Sequence, residues 1–283
     1  MMENTTSKRL ALLAGNDRLP LLVARSARAA GYQVIAFGFK GMMIPELDEA
    51  ADQVFEFPFC HLGSIFHKME ESGIKQAVTI GNIAQTNVIG GMPRFDDLAL
   101  EVWRRLPDRR VDTIMEILVR EIEKRGIEVL PSARFLEDHL APRGVLTERA
   151  PTDKEWGDLR FGFRMARAIG GLDIGQTVVV KHRAVMSVEA VEGTDAAIRR
   201  GGELARGGAV VVKVAKPRQD PRFDVPAVGR ETIEAMHRAG ANLLAVEAGR
   251  VLIVEKEPMI TWADEAGIGI VGVTEEEVRE DES

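Results

Sequence analysis

The sequence predicts an α/β protein, with a Rossmann-like N-terminal domain over residues 1–140 and a mixed α+β C-terminal domain over residues 150–283. Three observations predict it. Strand-like and helix-like runs alternate through the first half, the pattern of parallel strands joined by crossover helices. Periodicity then lapses between Pro131 and Asp153, where Pro131, Pro142, Gly144 and Pro151 punctuate the chain as a linker would. Finally, 283 residues lie at the upper edge of what one core holds, so two domains are expected.

The elements follow in order. Leu10–Ala14 is a short apolar run stopped by Gly15, and Leu19–Ala30 has helical composition up to Gly31. Gln33–Gly38 is strand-like, and Gln53–Phe57 alternates between apolar and polar residues. Gly63–Glu71 is helical and stopped by Gly73, after which Gln76–Ile80 returns to strand before Gly81. Val111–Lys124 is the clearest helix, because Ile114, Ile117, Leu118 and Ile122 share a face and Glu116–Arg120 and Glu121–Arg125 are i,i+4 pairs. Gly126 ends it, and Ile127–Leu130 reads as a strand stopped by Pro131. Beyond the linker a helix is expected from Asp153 to about Ile169, closed by Gly170-Gly171. Thr177–Lys181 and Ala184–Ala190 then form a hairpin through His182-Arg183. Ala209–Val214, Asn242–Glu247, Val251–Val254 and Ile268–Val273 supply further strands, with helices near Asp195–Arg200, Arg230–Arg238 and Met259–Ala266 between them.

Composition narrows the function. A net charge of −7 argues against a nucleic-acid partner, which calls for a basic surface. The single cysteine, Cys60, rules out an intramolecular disulfide and fits a reducing cytosol; it reads as a small buried hydrophobe or as a nucleophile. The start of the chain lacks a basic region followed by an apolar stretch, so no signal peptide is expected. No apolar run approaches the roughly 18 residues that span a bilayer. The five histidines show no metal-ligand spacing, and neither Walker A, nor the full dinucleotide fingerprint, nor a G-x-S-x-G elbow occurs.

Several turns can carry chemistry. Gly15 ends the first strand and precedes a helix N-terminus, so it serves either close approach by a phosphate-bearing ligand or a tight structural turn. Gly81-Asn82 repeats that arrangement, and at the carboxyl edge of one parallel sheet the two turns are expected to lie close together. Glu189 to Asp195 leaves a strand and enters a helix: Thr194 or Asp195 is a candidate N-cap, while the same turn could bind phosphate with Glu189 or Glu192 left to hold a metal. Lys213, Lys216, Arg218 and Arg222 form a basic stretch that could receive a small anionic substrate or simply be solvated. Asp220 and Asp224 follow among Pro217, Pro221 and Pro226, positions suited to a metal ligand or a water-orienting base.

Read together, these blocks resemble the LpxI family. The resemblance is carried by Leu172-Asp173-Ile174-Gly175-Gln176, by Val188-Glu189-Ala190-Val191-Glu192-Gly193-Thr194-Asp195, by Lys213 with Lys216-Pro217, by Asp224-Val225-Pro226 with Gly229, and by Glu247-Ala248-Gly249-Arg250. Ala14-Gly15, Leu19-Pro20 and Gly81-Asn82 match as well, so it spans nearly the whole chain. It implies a Mg²⁺-dependent hydrolase that cleaves UDP-2,3-diacylglucosamine to UMP and lipid X in lipid A biosynthesis, with substrate held between a Rossmann-like domain and a catalytic C-terminal domain. By motif, it implies a catalytic role for Asp224 and substrate contacts from Gly15, Arg18, Gly81, Asn82, Gln176, Gly193, Thr194, Lys213 and Lys216. Asp224, Glu189 and Glu192 are the candidate metal ligands. Here Asn16, Asp17 and Arg18 replace glycines of the family's first loop. The partners expected are a lipid-linked UDP-sugar, the inner-membrane surface of a Gram-negative-type bacterium by peripheral contact, and a second copy in a homodimer; the location expected is the cytoplasm. Arg104, Arg105, Arg109 and Arg110 could touch anionic headgroups or form a solvated helix end. The rival readings are a non-catalytic nucleotide or lipid-phosphate binding protein and a nucleotide-sugar transferase.

Overall fold

The computed structural model describes residues 8–81, 94–108, 110–217, 219–220, 222 and 225–279. The chain divides into two compact units, Met1–Leu136 with Asp220–Asp224, and Glu137–Gln219 with Val225–Ser283.

In the first unit, Lys8–Ala14 (β1), Tyr32–Phe39 (β2), Gln53–Phe57 (β3), Gln76–Ile80 (β4) and Glu128–Val129 (β5) form one sheet in the order β3-β2-β1-β4-β5. Every pairing in it is parallel. This is the strand order of a doubly wound sheet, reversing between β1 and β4. Leu19–Ala29 (α1), Leu47–Ala50 (α2), Leu62–Glu71 (α3), Asp97–Arg105 (α4) and Val111–Glu123 (α5) supply its helices. Ile65, Phe66, Met69, Val119 and Ile122 from α3 and α5 pack on Ala11, Ile35, Phe37 and Ala77 of the sheet, which explains the apolar spacing of both helices. The helix α4 was not foreseen; Asp96 caps it through Oδ1 and the Ala99 amide at 2.9 Å.

The segment expected as a linker has structure of its own. It contains 3-10 turns at Ser132–Phe135 and Glu137–His139 and a short strand, Gly144–Val145 (β6), that pairs antiparallel with Gly269–Val273 (β13). Thr152 and Glu155 then form a reciprocal capping box that starts Asp153–Gly171 (α6). The expected stop at Gly170-Gly171 is corrected: the helix runs through both glycines.

The second unit is a six-stranded sheet in the order β6-β13-β11-β9-β7-β8, where Thr177–Lys181 is β7, Ala184–Val188 is β8, Ala209–Lys213 is β9 and Ala241–Glu247 is β11. The hairpin β7–β8 turns at His182-Arg183, both in the left-handed region, as the sequence predicts. Strand alternation decides the layers. Val210, Val212 and Val214 face α6, with Leu159, Phe163 and Ala166. Ala209 and Val211 face the other way, toward Thr194–Ala205 (α7), Arg230–Ala239 (α8) and Lys256–Glu265 (α9) through Ile198, Ile233, Met236 and Met259. Glu275–Arg279 (α10) adds Val278 to the α6 side. The run expected at Val251–Val254 is only Leu252–Ile253 (β12), which pairs with Ala227–Val228 (β10) in a separate small sheet. The helix α7 also continues past its expected end at Arg200 to Ala205.

Candidate functional site

In the first unit the two glycine turns meet at the switch point of the sheet. Gly15 donates its amide to the Ile80 carbonyl at 2.8 Å. Gly81 has φ +97°, and a Cβ there would lie 2.9 Å from Gly15 Cα and 3.0 Å from Pro20 Cγ. No side chain fits, so the backbone is bare where ligands of open α/β sheets gather. Arg18 is exposed just before α1, and Asp17 Oδ1 accepts the Leu19 amide at 2.9 Å. Asn82 lies outside the described residues.

In the second unit, β9, β11 and β13 are parallel, while β7 is antiparallel to both β9 and β8. The ends of β8, β9, β11 and β13 and the start of β7 therefore share one edge. A chain of buried polar contacts runs along it. Lys213, 5% exposed, donates from Nζ to the Ala227 carbonyl at 2.8 Å and to Thr194 Oγ1 at 2.9 Å. Thr194 in turn donates to Glu189 Oε1 at 2.7 Å, and Glu189 Oε2 accepts the Gln176 amide at 3.3 Å. Thr177 pairs with Lys213 across β7 and β9, so its hydroxyl lies on the same face; among the described residues it has no hydrogen-bond partner, although Thr177 is fully buried.

Helix α7 starts at Thr194, behind Gly193 at φ +84° with no side-chain cap. Neither Thr194 nor Asp195 is therefore the N-cap that the sequence made a candidate. Thr194 spends its hydroxyl on the Lys213–Glu189 chain, while Asp195 lies in the first turn within electrostatic reach of Lys213, Arg199 and Glu189. Burial raises the Asp195 carboxyl above its ordinary value of 3.8, against the pull of Lys213. Sequence reasoning missed Asp195 as a site residue; its place one residue after Thr194, in a helix's first turn, was the available signal.

The remaining predicted residues separate. Lys216 Nζ pairs with Asp173 Oδ1 at 2.7 Å, while the Lys216 amide donates to Gln219 Oε1 at 3.0 Å. Glu192 accepts hydrogen bonds from its own amide, from the Arg200 guanidinium and from the Ala190 amide, which together hold its carboxyl below the ordinary range. Arg222 is neutralised in the first unit by Asp220 and by Glu123 at 3.0 Å, so it is not the open cation that the basic stretch suggested. Arg109, Arg218 and Asp224 lie outside the described residues. Arg105 is paired with Glu101, and Arg110 with Asp108, whose carboxyl its hydrogen bonds hold down to about 2. Cys60 is half-buried, and burial with the nearby Asp96 charge pushes its thiol up to about 11, so it stays protonated and non-nucleophilic at neutral pH.

The residues at both edges belong to blocks with known counterparts. The LpxI N-terminal domain model matches residues 9–139, and the LpxI C-terminal domain model matches residues 142–271. The chain belongs to the LpxI family. It is 34% identical over 285 aligned positions to the UDP-2,3-diacylglucosamine pyrophosphatase LpxI of Caulobacter vibrioides, covering 95% of this chain and 99% of that one. A second relative, the bifunctional purine biosynthesis protein PurH of Anoxybacillus flavithermus, is 26% identical over 79% of this chain but only 42% of its own length. Among solved structures, glycinamide-RNase-transformylase T from Mycobacterium tuberculosis aligns over 65% of this chain and 44% of that one, at 15% identity and a TM-score of 0.25. The two LpxI domain models together extend over both units.

Proposed function

We propose that this LpxI chain hydrolyses the diphosphate of UDP-2,3-diacylglucosamine, releasing UMP and 2,3-diacylglucosamine 1-phosphate, as a step of lipid A biosynthesis. The observation that carries the reading is the buried Lys213, held at a sheet edge beside the first turn of α7, inside a family match that covers both halves of the chain. A diphosphate resists attack because water must approach a phosphorus ringed by negative oxygens. A fixed ammonium and the dipole of α7 reduce that repulsion, and burial strengthens the effect because little water screens it. Lys213 is prepaid in this respect: its position is set by Thr194 and Ala227 before any substrate arrives. The Thr177 hydroxyl on the same face can donate to a phosphoryl oxygen. Asp224 is proposed, on the family motif, to accept a hydrogen bond from the attacking water.

The donor set bears on Mg²⁺. Among the described residues no group of three or more His, Cys, Asp or Glu is placed to hold a metal. Mg²⁺, however, keeps several waters and commonly takes only one or two carboxylates together with substrate phosphates. Glu189 and Asp195 beside Lys213 provide that many. The residues fit the ion, with Glu189 better disposed than Glu192, whose carboxylate is engaged by Arg200. Bound there, Mg²⁺ would offset the charge that develops on the phosphate oxygens.

A lipid substrate places the reaction at a membrane, and we propose peripheral contact with the cytoplasmic face of the inner membrane. Among the described residues no helix is long and apolar enough to cross one. Leu172 (72% exposed) and Val191 (74% exposed) support the reading, since both flank the polar edge that holds Glu189 and Lys213. The homodimer is carried by the family resemblance alone, and sedimentation of the purified protein tests it. The test of the function is release of UMP from UDP-2,3-diacylglucosamine with and without Mg²⁺, with UDP-N-acetylglucosamine as a substrate lacking acyl chains. Mg²⁺-dependent hydrolysis of the first only is expected; transfer of the sugar phosphate to an added acceptor, or binding without turnover, would favour the rivals.

A further inference from the structure

Beyond the residues that meet substrate, the same edge of the six-stranded sheet carries a buried ion pair with no part in the chemistry above. Glu247, the last residue of β11, is 3% exposed. Its Oε1 lies 3.3 Å from a guanidinium nitrogen of Arg167, on α6, and 3.4 Å from one of Arg250. Its Oε2 accepts the Ala215 amide at 2.9 Å, and Arg167 donates to the Ala215 carbonyl at 2.9 Å. The pair thus grips both polar groups of a single residue, in the stretch where the chain has just left β9. That residue stands between Lys213 and Lys216.

A buried ion pair is a weak device for stability, since the desolvation of two charges offsets most of their attraction. A chain leaving a strand could satisfy its polar groups with neutral partners. What this pair provides is direction. The Val214 amide is already fixed by the Gln176 carbonyl at 3.0 Å. With both groups of Ala215 also held, the backbone reaches Lys216 with little freedom left. Arg167 is itself tethered, to Glu275 at 2.8 Å.

We propose that Arg167 and Glu247 are positioning residues that fix where Lys216 leaves the sheet, and so set how strongly Lys216 holds the anionic substrate. The inference rests on the reading that Lys216 contacts substrate. It is tested by a double-mutant cycle between Lys216→Ala and the paired replacement Arg167→Met with Glu247→Leu, which removes both charges in step and leaves neither buried alone. In the native Lys216 background the paired replacement should raise KM about tenfold or more, with kcat much less affected. In the Lys216→Ala background it should change KM hardly at all. Glu247→Gln, which keeps an acceptor for the Ala215 amide, should stay within about threefold of the native KM. Thermal melts accompany each variant. Equal losses in both backgrounds, or losses that follow melting temperature alone, would overturn the proposal while leaving the role of Lys216 intact. A Lys216→Ala variant with native KM would instead overturn the reading on which it rests, and the proposal with it.

Discussion

Replacing Lys213 by Met separates what the amine does for the fold from what it does for the reaction. Methionine matches the stem in length and reach, so the change removes the ammonium and little volume. Two charge-assisted hydrogen bonds go with it, to Thr194 and to Ala227, each contributing about 1.5–3 kcal/mol. Against this, the variant no longer desolvates a cation that is 5% exposed, a term of several kcal/mol of opposite sign. The net loss should therefore be small, about 1–3 kcal/mol, and readable as a lower midpoint in urea. Activity should respond differently. If the ammonium offsets charge that develops on a phosphate oxygen, its loss costs about 10²–10³ in kcat, as for other fixed electrostatic donors. The assay is UMP release under saturating substrate, beside a denaturation curve on the same preparation. A variant destabilised by that amount but turning over within about threefold of native would refute the reasoning, because Lys213 would then be a structural lysine.

Three further outcomes are expected. Gly81→Ala should cost about 2 kcal/mol or more in chemical denaturation, since the new Cβ at φ +97° would meet Gly15 backbone 2.9 Å away; native stability would refute the close approach. Asp195→Asn should be no less stable than native at pH 7, yet turn over more slowly. The sign follows from a raised carboxyl: the folded form favours the proton, so stability present below the unfolded value of 3.8 is lost as pH rises through the folded value. The Asn variant lacks that loss, and its urea midpoint should gain on the native one as pH climbs from 3.8. A constant difference at every pH would contradict the assignment. Asp224→Ala should lower UMP release about 10²-fold or more with an unchanged melt, whereas a less stable but active variant would make that residue structural.

How far the sequence foretold this structure depends on how local the deciding contacts are. The strands Gln53–Phe57, Gln76–Ile80 and Thr177–Lys181 have the expected bounds, because apolar runs and flanking turn residues are adjacent in the chain. The end of α7 was misjudged for the opposite reason. Gly201 and Gly202 follow Arg200 directly, and a Cβ at Gly201 would lie 2.4 Å from Ser187 Oγ and one at Gly202 2.4 Å from the Ala239 carbonyl. These glycines let α7 lie close to β8 and to the end of α8, and the helix passes through them. Neither contact is visible in a window of neighbouring residues.

The site divides in the same way. Gly15 and Gly81 could be placed at one edge from the strand–helix alternation alone, and they touch there. Lys213 and Thr194 are 19 residues apart, and their contact depends on β9 lying beside β7 and on α7 covering that face. The basic stretch was read as one patch because its cations are close in sequence. The fold gives the three described ones different partners: Thr194 for Lys213, Asp173 for Lys216 and Asp220 for Arg222. Glu247 belongs to the Glu247-Ala248-Gly249-Arg250 block, but its pairing with Arg167 follows no local pattern, since their 3.3 Å approach joins a helix and a strand 80 positions apart.

The most direct test of the central claim is the identity of the products formed from UDP-2,3-diacylglucosamine by the purified native protein. Separation by liquid chromatography with mass detection should show UMP and 2,3-diacylglucosamine 1-phosphate in equal amounts, one of each for every substrate lost. Formation of UDP with the free diacylated sugar, or no product at all in the presence of Mg²⁺, would contradict it.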